Sequence, residues 1–427
     1  MSKGGKGMKD YSSFISFEDM IKDLEKITDK KEIERGGIPL CYDDEAVYLD
    51  NRYGHTLVVG STGSGKTQTV TLPKVYTSIY AGENIIIDDQ KGEVYERVEK
   101  DLKDNNYKLY KIDFSNFDGN KWNALKLAYD LYKDNNVDDS VMIIEKVAYY
   151  IFTDNKPDTS DPFWINTVKQ LFTGTVLYLM EKEDKIPTIK EVYDCATNIS
   201  IEDFNKLSGK SPAKPFLKVT VNAPTETKGS IYSVFNSKLM AFSYVNRINS
   251  FLDESDFELE DLLNDKVALF IIDAHNKHYY SNLVELFIEE LCYICNVKNN
   301  QKRINIILDD FNDYIPISDF GRLLSSTRSI YVEFTLLASS LHPLSITYGE
   351  ISLEHILSQF VRIIYLYAND DYTLEKISNM CGNKSKDEKL LSTTDLKLIN
   401  VFEAVVFKTR HLPFKTKLLP FYEYPKE

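Results

Sequence analysis

The chain has 427 residues, 43% of them hydrophobic, with 51 basic and 65 acidic side chains and a formal charge of −14, so it can bury a large core in two or three domains and as a whole repels DNA, RNA and anionic lipid at long range. Any nucleic-acid contact is therefore expected on a local basic strip. Five scattered cysteines, an odd number, exclude a disulfide framework and fit a reducing cytosol; no apolar run reaches the about 18 residues of a bilayer crossing, and the start "MSKGGKGMKDYSSF" lacks the apolar segment of a signal peptide.

In chain order, the Gly/Lys-rich first eight residues are set aside, and Phe14, Phe17, Ile21, Leu24 and Ile27 fall at helical spacing. "RGGIPL" reads as a turn and "AVYLD" as a short strand. "HTLVVG" is a buried strand that runs into a glycine-rich loop and a helix; "IIIDDQKGE" and "YKLYKIDFS" supply two more strands. From about Asn123 to Phe235, segments such as "SVMIIEKVAYYIF" and "DPFWINTVKQLFTGTVLYLMEKE" carry apolar residues three and four apart, a helical insertion. Strands return with "KVALFIIDA", "RINIILDDF", "YVEFTLLASS" and "RIIYLYAND", and "FEAVVFKTR" closes near a sheet edge. Alternating strands and helices predict an α/β fold, a doubly wound, mostly parallel sheet interrupted by an all-α domain. The expected divisions are an N-terminal helical, partly disordered segment (1–35), a nucleotide-binding part (36–123), the inserted helices (124–235) and the second nucleotide-binding part (236–427). Cys292 and Cys295 sit in an amphipathic helix with no second pair to complete a zinc site, so they read as core.

Gly60, Ser61, Thr62, Gly63, Ser64, Gly65, Lys66 and Thr67 satisfy G-x-x-x-x-G-K-S/T between a strand and a helix. Glycines let successive backbone N–H groups turn inward around phosphates. Lys66 is assigned to the β- and γ-phosphates, Thr67 to Mg²⁺, and the following helix N-terminus, with Gln68, completes the ATP-binding loop. Pro73 lies deep enough in that helix to kink it. A metal also needs a strand-end carboxylate. Asp88 and Asp89, Asp273, and Asp309 and Asp310 are the candidates; "INIILDD" is preferred, with Asp309 for Mg²⁺ through water and Asp310 to orient the attacking water. His275 and His278 in "AHNKH" lack further ligands nearby and read as surface residues.

Together these stretches resemble the coupling-protein ATPases of conjugation and type IV secretion, RecA-like, FtsK-related P-loop translocases. The resemblance runs from Gly60 to about Pro420. It rests on "GSTGSGKTQTVTLPKV" for Walker A, "DDQKGEVYE" and "KWNAL" for two boxes that follow it, and "DPFW" and "TETKGSIYSVF" in the helical domain. "LDDFND" matches Walker B, "SSTRSIYVEFTLLASS" an arginine-bearing helix and sensor strand, and "CGNKS" and "LLSTTDL" the closing elements. Three departures stand out. Asp310 replaces the family's glutamate and is one methylene shorter, Ser339 stands where a glutamine sensor is usual, and the two N-terminal membrane helices are missing.

The resemblance implies a RecA-like ATPase whose turnover is slowed at Asp310 and Ser339, monomeric in isolation and, when active, a ring of six identical subunits that threads DNA without sequence preference. It also implies a relaxase or other secretion substrate taken up through the helical domain and delivered to the type IV apparatus. Arg328 is implied to act in catalysis on a neighbour's nucleotide, or else to be a solvated helix residue; Lys91 is a nucleotide-loop or DNA contact, or a turn residue. The chain is expected in the cytoplasm, peripheral at the inner membrane face through a partner, with no span of its own. Two other readings stay open: an ATP-binding substrate adaptor that hydrolyses little, and a soluble nucleic-acid ATPase of repair or defence.

Overall fold

The computed structural model describes residues 11–153, 162–244, 246–272, 282–314 and 316–424. Strands run in chain order as β1 (Glu25–Ile27), β2 (Ile38–Tyr42), β3 (Val47–Asp50), β4 (Thr56–Gly60), β5 (Asn84–Asp88), β6 (Lys108–Asp113), β7 (Asp118–Gly119), β8 (Val267–Ile272), β9 (Ile304–Leu308), β10 (Val332–Ala338), β11 (Arg362–Tyr367), β12 (Glu403–Lys408) and β13 (Phe414–Lys417). The chain divides into two compact units, one of residues 1–109, 263–268 and 300–427, the other of residues 110–262 and 269–299. The unit limits fall inside β6 and β8.

The first unit holds seven strands in the order β13-β12-β11-β4-β10-β9-β5. β4 pairs in parallel with β10 and β11, and β9 in parallel with β10 and β5. Every residue of β4, β5, β9 and β10 is buried, which is why these strands read as continuous apolar runs rather than alternating ones. β12 and β13 turn antiparallel and form the edge; β13 carries two lysines in "FKTK" and escaped the sequence reading.

The N-terminal segment departs from the expected helix. Phe17–Ile21 is a short α-helix capped by Ser16 and Lys30–Glu32 a 3-10 turn; between them Glu25–Ile27 pairs with β3 in a separate three-stranded sheet of order β1-β3-β2. The helical period of Phe14 to Ile27 thus runs across a short helix, a turn and a strand. "RGGIPL" is likewise no turn, since Ile38 opens β2. Its glycines serve close approach: a Cβ on Gly37 would lie 2.5 Å from the Asp50 carbonyl oxygen.

The second unit is dominated by helices, among them Val137–Phe152, Pro162–Glu183, Ala213–Val221, Thr225–Tyr244 and Asn282–Val297. A Cβ on Gly174 would meet Leu217 at 2.8 Å, so this glycine lets the Pro162–Glu183 and Ala213–Val221 helices touch. Trp122 is buried edge-on to Phe287 at 5.3 Å. Asn123 accepts from Leu125 N–H and donates to the Asp253 carbonyl, making "KWNAL" a clamp that starts the helical region. Cys292 and Cys295 are buried free thiols, as expected of core residues. No helix among the described residues is long and apolar enough to cross a membrane.

Candidate nucleotide site

β4 ends on Gly60 at the C-terminal edge of the parallel sheet, and the chain doubles back at once. Ser61 N–H donates to the Tyr367 carbonyl at the end of β11, and Ser64 N–H to the Ser61 carbonyl. The turn needs glycine three times over. A Cβ on Gly60 would meet Ser64 Oγ at 2.4 Å, while Gly63 and Gly65 have φ of +81° and +92°, a region costly to other residues. Thr62 and Gly63 are exposed at the tip. Lys66, 8% exposed, folds inward, and its Nζ donates to the Gly60 carbonyl at 2.6 Å. Ser64 Oγ is buried without a partner.

The helix that follows differs from the expected kinked one. Thr67 to Thr71 form a π turn in which Leu72 N–H reaches back five residues to the Thr67 carbonyl, and the regular helix Leu72–Tyr80 then starts with Pro73 in its first turn. There the missing N–H removes little. Thr67 and Gln68 sit half-buried at the head of this turn, and Phe402, itself at φ +68°, closes over the loop with ring atoms 3.0 to 3.1 Å from where a Gly65 Cβ would stand.

The carboxylates gather at the same edge of the sheet, but not on the strand next to β4. β10 intervenes, which places β9 two strand spacings away, about 10 Å. Asp88 is level with Leu308 in the β5–β9 pairing, so Asp88, Asp89 and Asp309 leave adjacent strand ends together. Asp309 Oδ1 accepts from Asp310 N–H and its carbonyl from Gln90. Asp88 accepts from the Tyr314 hydroxyl. Burial, and then the nearby charge of Asp309, push the Asp89 carboxyl above its ordinary value, against the pull of the Tyr95 and Val94 N–H groups. A cation between Asp89 and Asp309 relieves that repulsion, so the acidic side of the site fits Mg²⁺ as the loop side, with its orphaned Ser64 hydroxyl and folded lysine, fits a polyphosphate.

Asp310 is half-buried at φ +45°, in the left-handed region, and starts the short turn Phe311–Asp313. Ser339 lies at the end of β10, between the loop and Asp309. Its N–H and hydroxyl both donate to Asn312 Oδ1, at 2.5 and 2.9 Å, and Asn312 Nδ2 donates to the Ser340 carbonyl. Sequence reasoning passed over Asn312, whose signal was an amide two residues beyond the double acid, inside a turn. Arg328 is not brought to this site. It is exposed at the start of β10, the opposite end of a strand about 20 Å long, and donates to the Gln359 carbonyl at 3.0 Å. Lys91 is exposed in a turn before the Glu93–Asp104 helix. Asp273, His275 and His278 lie outside the described residues.

A glycine loop ending a buried parallel strand, an inward lysine, and strand-end carboxylates one strand removed define a RecA-like P-loop fold. The model of a family described as type IV secretory system conjugative DNA transfer matches residues 6–412, and the chain belongs to that family. Among solved structures, the plasmid coupling protein TrwB in complex with the non-hydrolysable GTP analogue GDPNP is similar at 15% identity and a TM-score of 0.69, over 98% of this chain and 97% of that one. TrwB in complex with ADP and Mg²⁺ is similar at 16% identity and a TM-score of 0.66, over 97% of each chain. VirB4 of Thermoanaerobacter pseudethanolicus follows at 12% and 0.57, over 90% and 96%. Comparison by sequence with curated proteins finds no match.

Proposed function

We propose that this chain is the ATP-driven coupling motor of a conjugative or type IV secretion system, binding ATP with Mg²⁺ and driving DNA and its bound relaxase toward the transfer channel. The observation that carries the reading is the loop itself: a full G-x-x-x-x-G-K-T turn whose lysine rests on its own Gly60 carbonyl and whose Ser64 hydroxyl is buried without a partner, in a member of a conjugative DNA-transfer family. TrwB, of the same fold, has been solved with ADP and Mg²⁺ and with nucleotide analogues.

On this reading Lys66 leaves the Gly60 carbonyl for the β- and γ-phosphates, and the backbone N–H groups of 60–67 with the first turn at Thr67 and Gln68 surround the anion. The Thr67 hydroxyl and Asp309, with Asp89 beside it, would hold Mg²⁺, which when bound supplies charge neutralisation on the phosphate oxygens. Asp310 orients the water. Arg328, remote from its own loop, acts across a subunit boundary in a ring of six. DNA is held at its phosphates and so without base specificity, and residues 124–235 receive the cargo. The chain works in the cytoplasm at the inner membrane face.

A second reading, an ATP-binding adaptor with little turnover, is favoured by the short Asp310 and by Ser339, whose donors are both committed to Asn312. ATP turnover with and without DNA, in the natural chain and in Lys66→Ala, separates the two. The motor predicts DNA-stimulated turnover that falls at least a hundredfold in the variant; binding without stimulated turnover leaves the adaptor, and turnover that survives loss of Lys66 rejects the site.

A further inference from the structure

At the C-terminal edge of the first unit's sheet, the chain leaving β10 is held from two sides. Ala338 is level with Val59 in the β10–β4 pairing, so Ser339 comes level with Gly60, where the phosphate loop opens. On its other flank β9 has already run out into the turn of Asp310 and Phe311–Asp313. Ser339 and Asn312 are both half-buried there. Asn312 Oδ1 accepts from Ser339 N–H at 2.5 Å, from the Ser339 hydroxyl at 2.9 Å and, more distantly, from Ser340 N–H at 3.4 Å, while its Nδ2 donates to the Ser340 carbonyl at 2.7 Å. The Ser340 hydroxyl in turn donates at 2.7 Å to Asp370, which caps the Asp371–Cys381 helix. The turn is thus pinned both to the segment after β9 and to the segment after β11.

This arrangement fixes what the Ser339 side chain can do. Backbone N–H groups face one end of the Asn312 carboxamide and a carbonyl faces the other, so its oxygen must lie toward Ser339. An amide oxygen only accepts. The Ser339 hydroxyl therefore gives its single hydrogen to Asn312 and keeps two lone pairs. Lone pairs repel a phosphate oxygen but accept from water. Asp310, whose longer-chain counterpart would reach further, opens the same turn that carries Asn312.

We propose that Ser339 is a second acceptor for the attacking water, holding one of its hydrogens while Asp310 takes the other, and that Asn312 is the residue that positions Ser339. The water oxygen forms a bond to the γ-phosphorus, the bond from that phosphorus to the β–γ bridging oxygen breaks, and ADP leaves. The proton facing Asp310 passes to its carboxylate and then to solvent; the hydrogen facing Ser339 stays on the phosphate that forms. Two acceptors hold a water with its remaining lone pair aimed at phosphorus, which one short acid does less well. The assignment rests on the motor reading. It also separates Ser339 from a phosphate-binding group, which would need the hydrogen that Asn312 holds.

Steady-state ATP turnover with DNA, beside calorimetric affinities for ADP and for a non-hydrolysable ATP analogue, tests it on the natural full chain, Ser339→Ala, Ser339→Thr and Asn312→Ala. Ser339→Ala should lower kcat about tenfold and leave both affinities within about twofold. Ser339→Thr keeps the hydroxyl and should hold kcat within about threefold. Asn312→Ala should lower kcat as far as Ser339→Ala does; because it also frees the Ser339 hydroxyl to donate to phosphate, it should raise the preference for the analogue over ADP about threefold. A purely structural Asn312 would weaken both ligands alike and leave that preference unchanged. Should Asn312→Ala fail to fold, the two serine variants decide the matter. An unchanged kcat in Ser339→Ala, or a selective loss of analogue affinity there, overturns the assignment. Absent turnover in the natural chain rejects the motor and this assignment together; turnover that survives Ser339→Ala rejects this assignment alone.

Discussion

The two ends of the parallel sheet in the first unit use charge in opposite ways. At the N-terminal ends of the strands, Glu333 is fully buried with Lys74 at 3.0 Å, Arg303 at 2.6 Å and Arg362 at 3.6 Å; Arg303 also meets Glu83, and Arg362 and Lys408 share Asp50. Arg362 further donates to the Gly54 and Arg52 carbonyls and the Thr56 hydroxyl. At the C-terminal ends, Ser64 is left without a partner, Lys66 has one carbonyl, and burial, with the charge of Asp309 adding to it, raises the Asp89 carboxyl. The first end is closed on itself and the second is held open. The contrast teaches that burial of charge alone does not mark a site, whereas burial with unmet demand does.

The largest test of that contrast is at Glu333. Glu333→Gln leaves three buried cations short of their counter-ion and should lower unfolding free energy by about 3 to 5 kcal/mol, read as a fall in the urea midpoint, whereas Lys66→Ala should move the same midpoint by no more than about 1 kcal/mol. Burial works to raise the Glu333 carboxyl, but Lys74, Arg303 and Arg362 together bring it down to about 2. The unfolded chain takes up this proton first, so the stabilisation is complete above about pH 4.5 and is lost as pH falls toward 2. The natural chain should therefore weaken more steeply than Glu333→Gln between pH 5 and 3, and parallel curves would show the cluster to be energetically neutral.

At the open end a smaller effect is expected. Asp310 occupies the left-handed region that aspartate tolerates better than glutamate, so Asp310→Glu should cost about 1 kcal/mol of stability while its longer reach raises ATP turnover. Unchanged turnover in a folded variant would show that reach is not limiting. Smallest of all, Arg328→Ala should change monomer stability by under about 0.5 kcal/mol and leave nucleotide affinity alone, yet reduce turnover at concentrations where the chain assembles. A loss independent of chain concentration would rule out action on a neighbour.

The phosphate loop was legible because its demands are local: glycines at fixed offsets, a lysine, a preceding apolar run. The core strands β4, β5, β9, β10 and β11 were legible for the same reason. The N-terminal segment was not, since Leu24 and Ile27 satisfy a helical period that pairing with β3 overrides. Pro73 was seen, but the π turn that accommodates it was not, and Asn312 became meaningful only once Ser339 stood beside it.

By itself the sequence determined the α/β alternation, the loop between Gly60 and Thr67 and the strand-end acids, because each depends on residues adjacent in the chain. Tertiary structure alone decided that β10 separates the loop from Asp309, that Asp89 shares its charge environment, that Arg328 lies at the far end, and that Ser339 gives its hydrogen to Asn312. Those facts depend on which strands and helices become neighbours, and neighbours distant in sequence are chosen by packing of the whole chain.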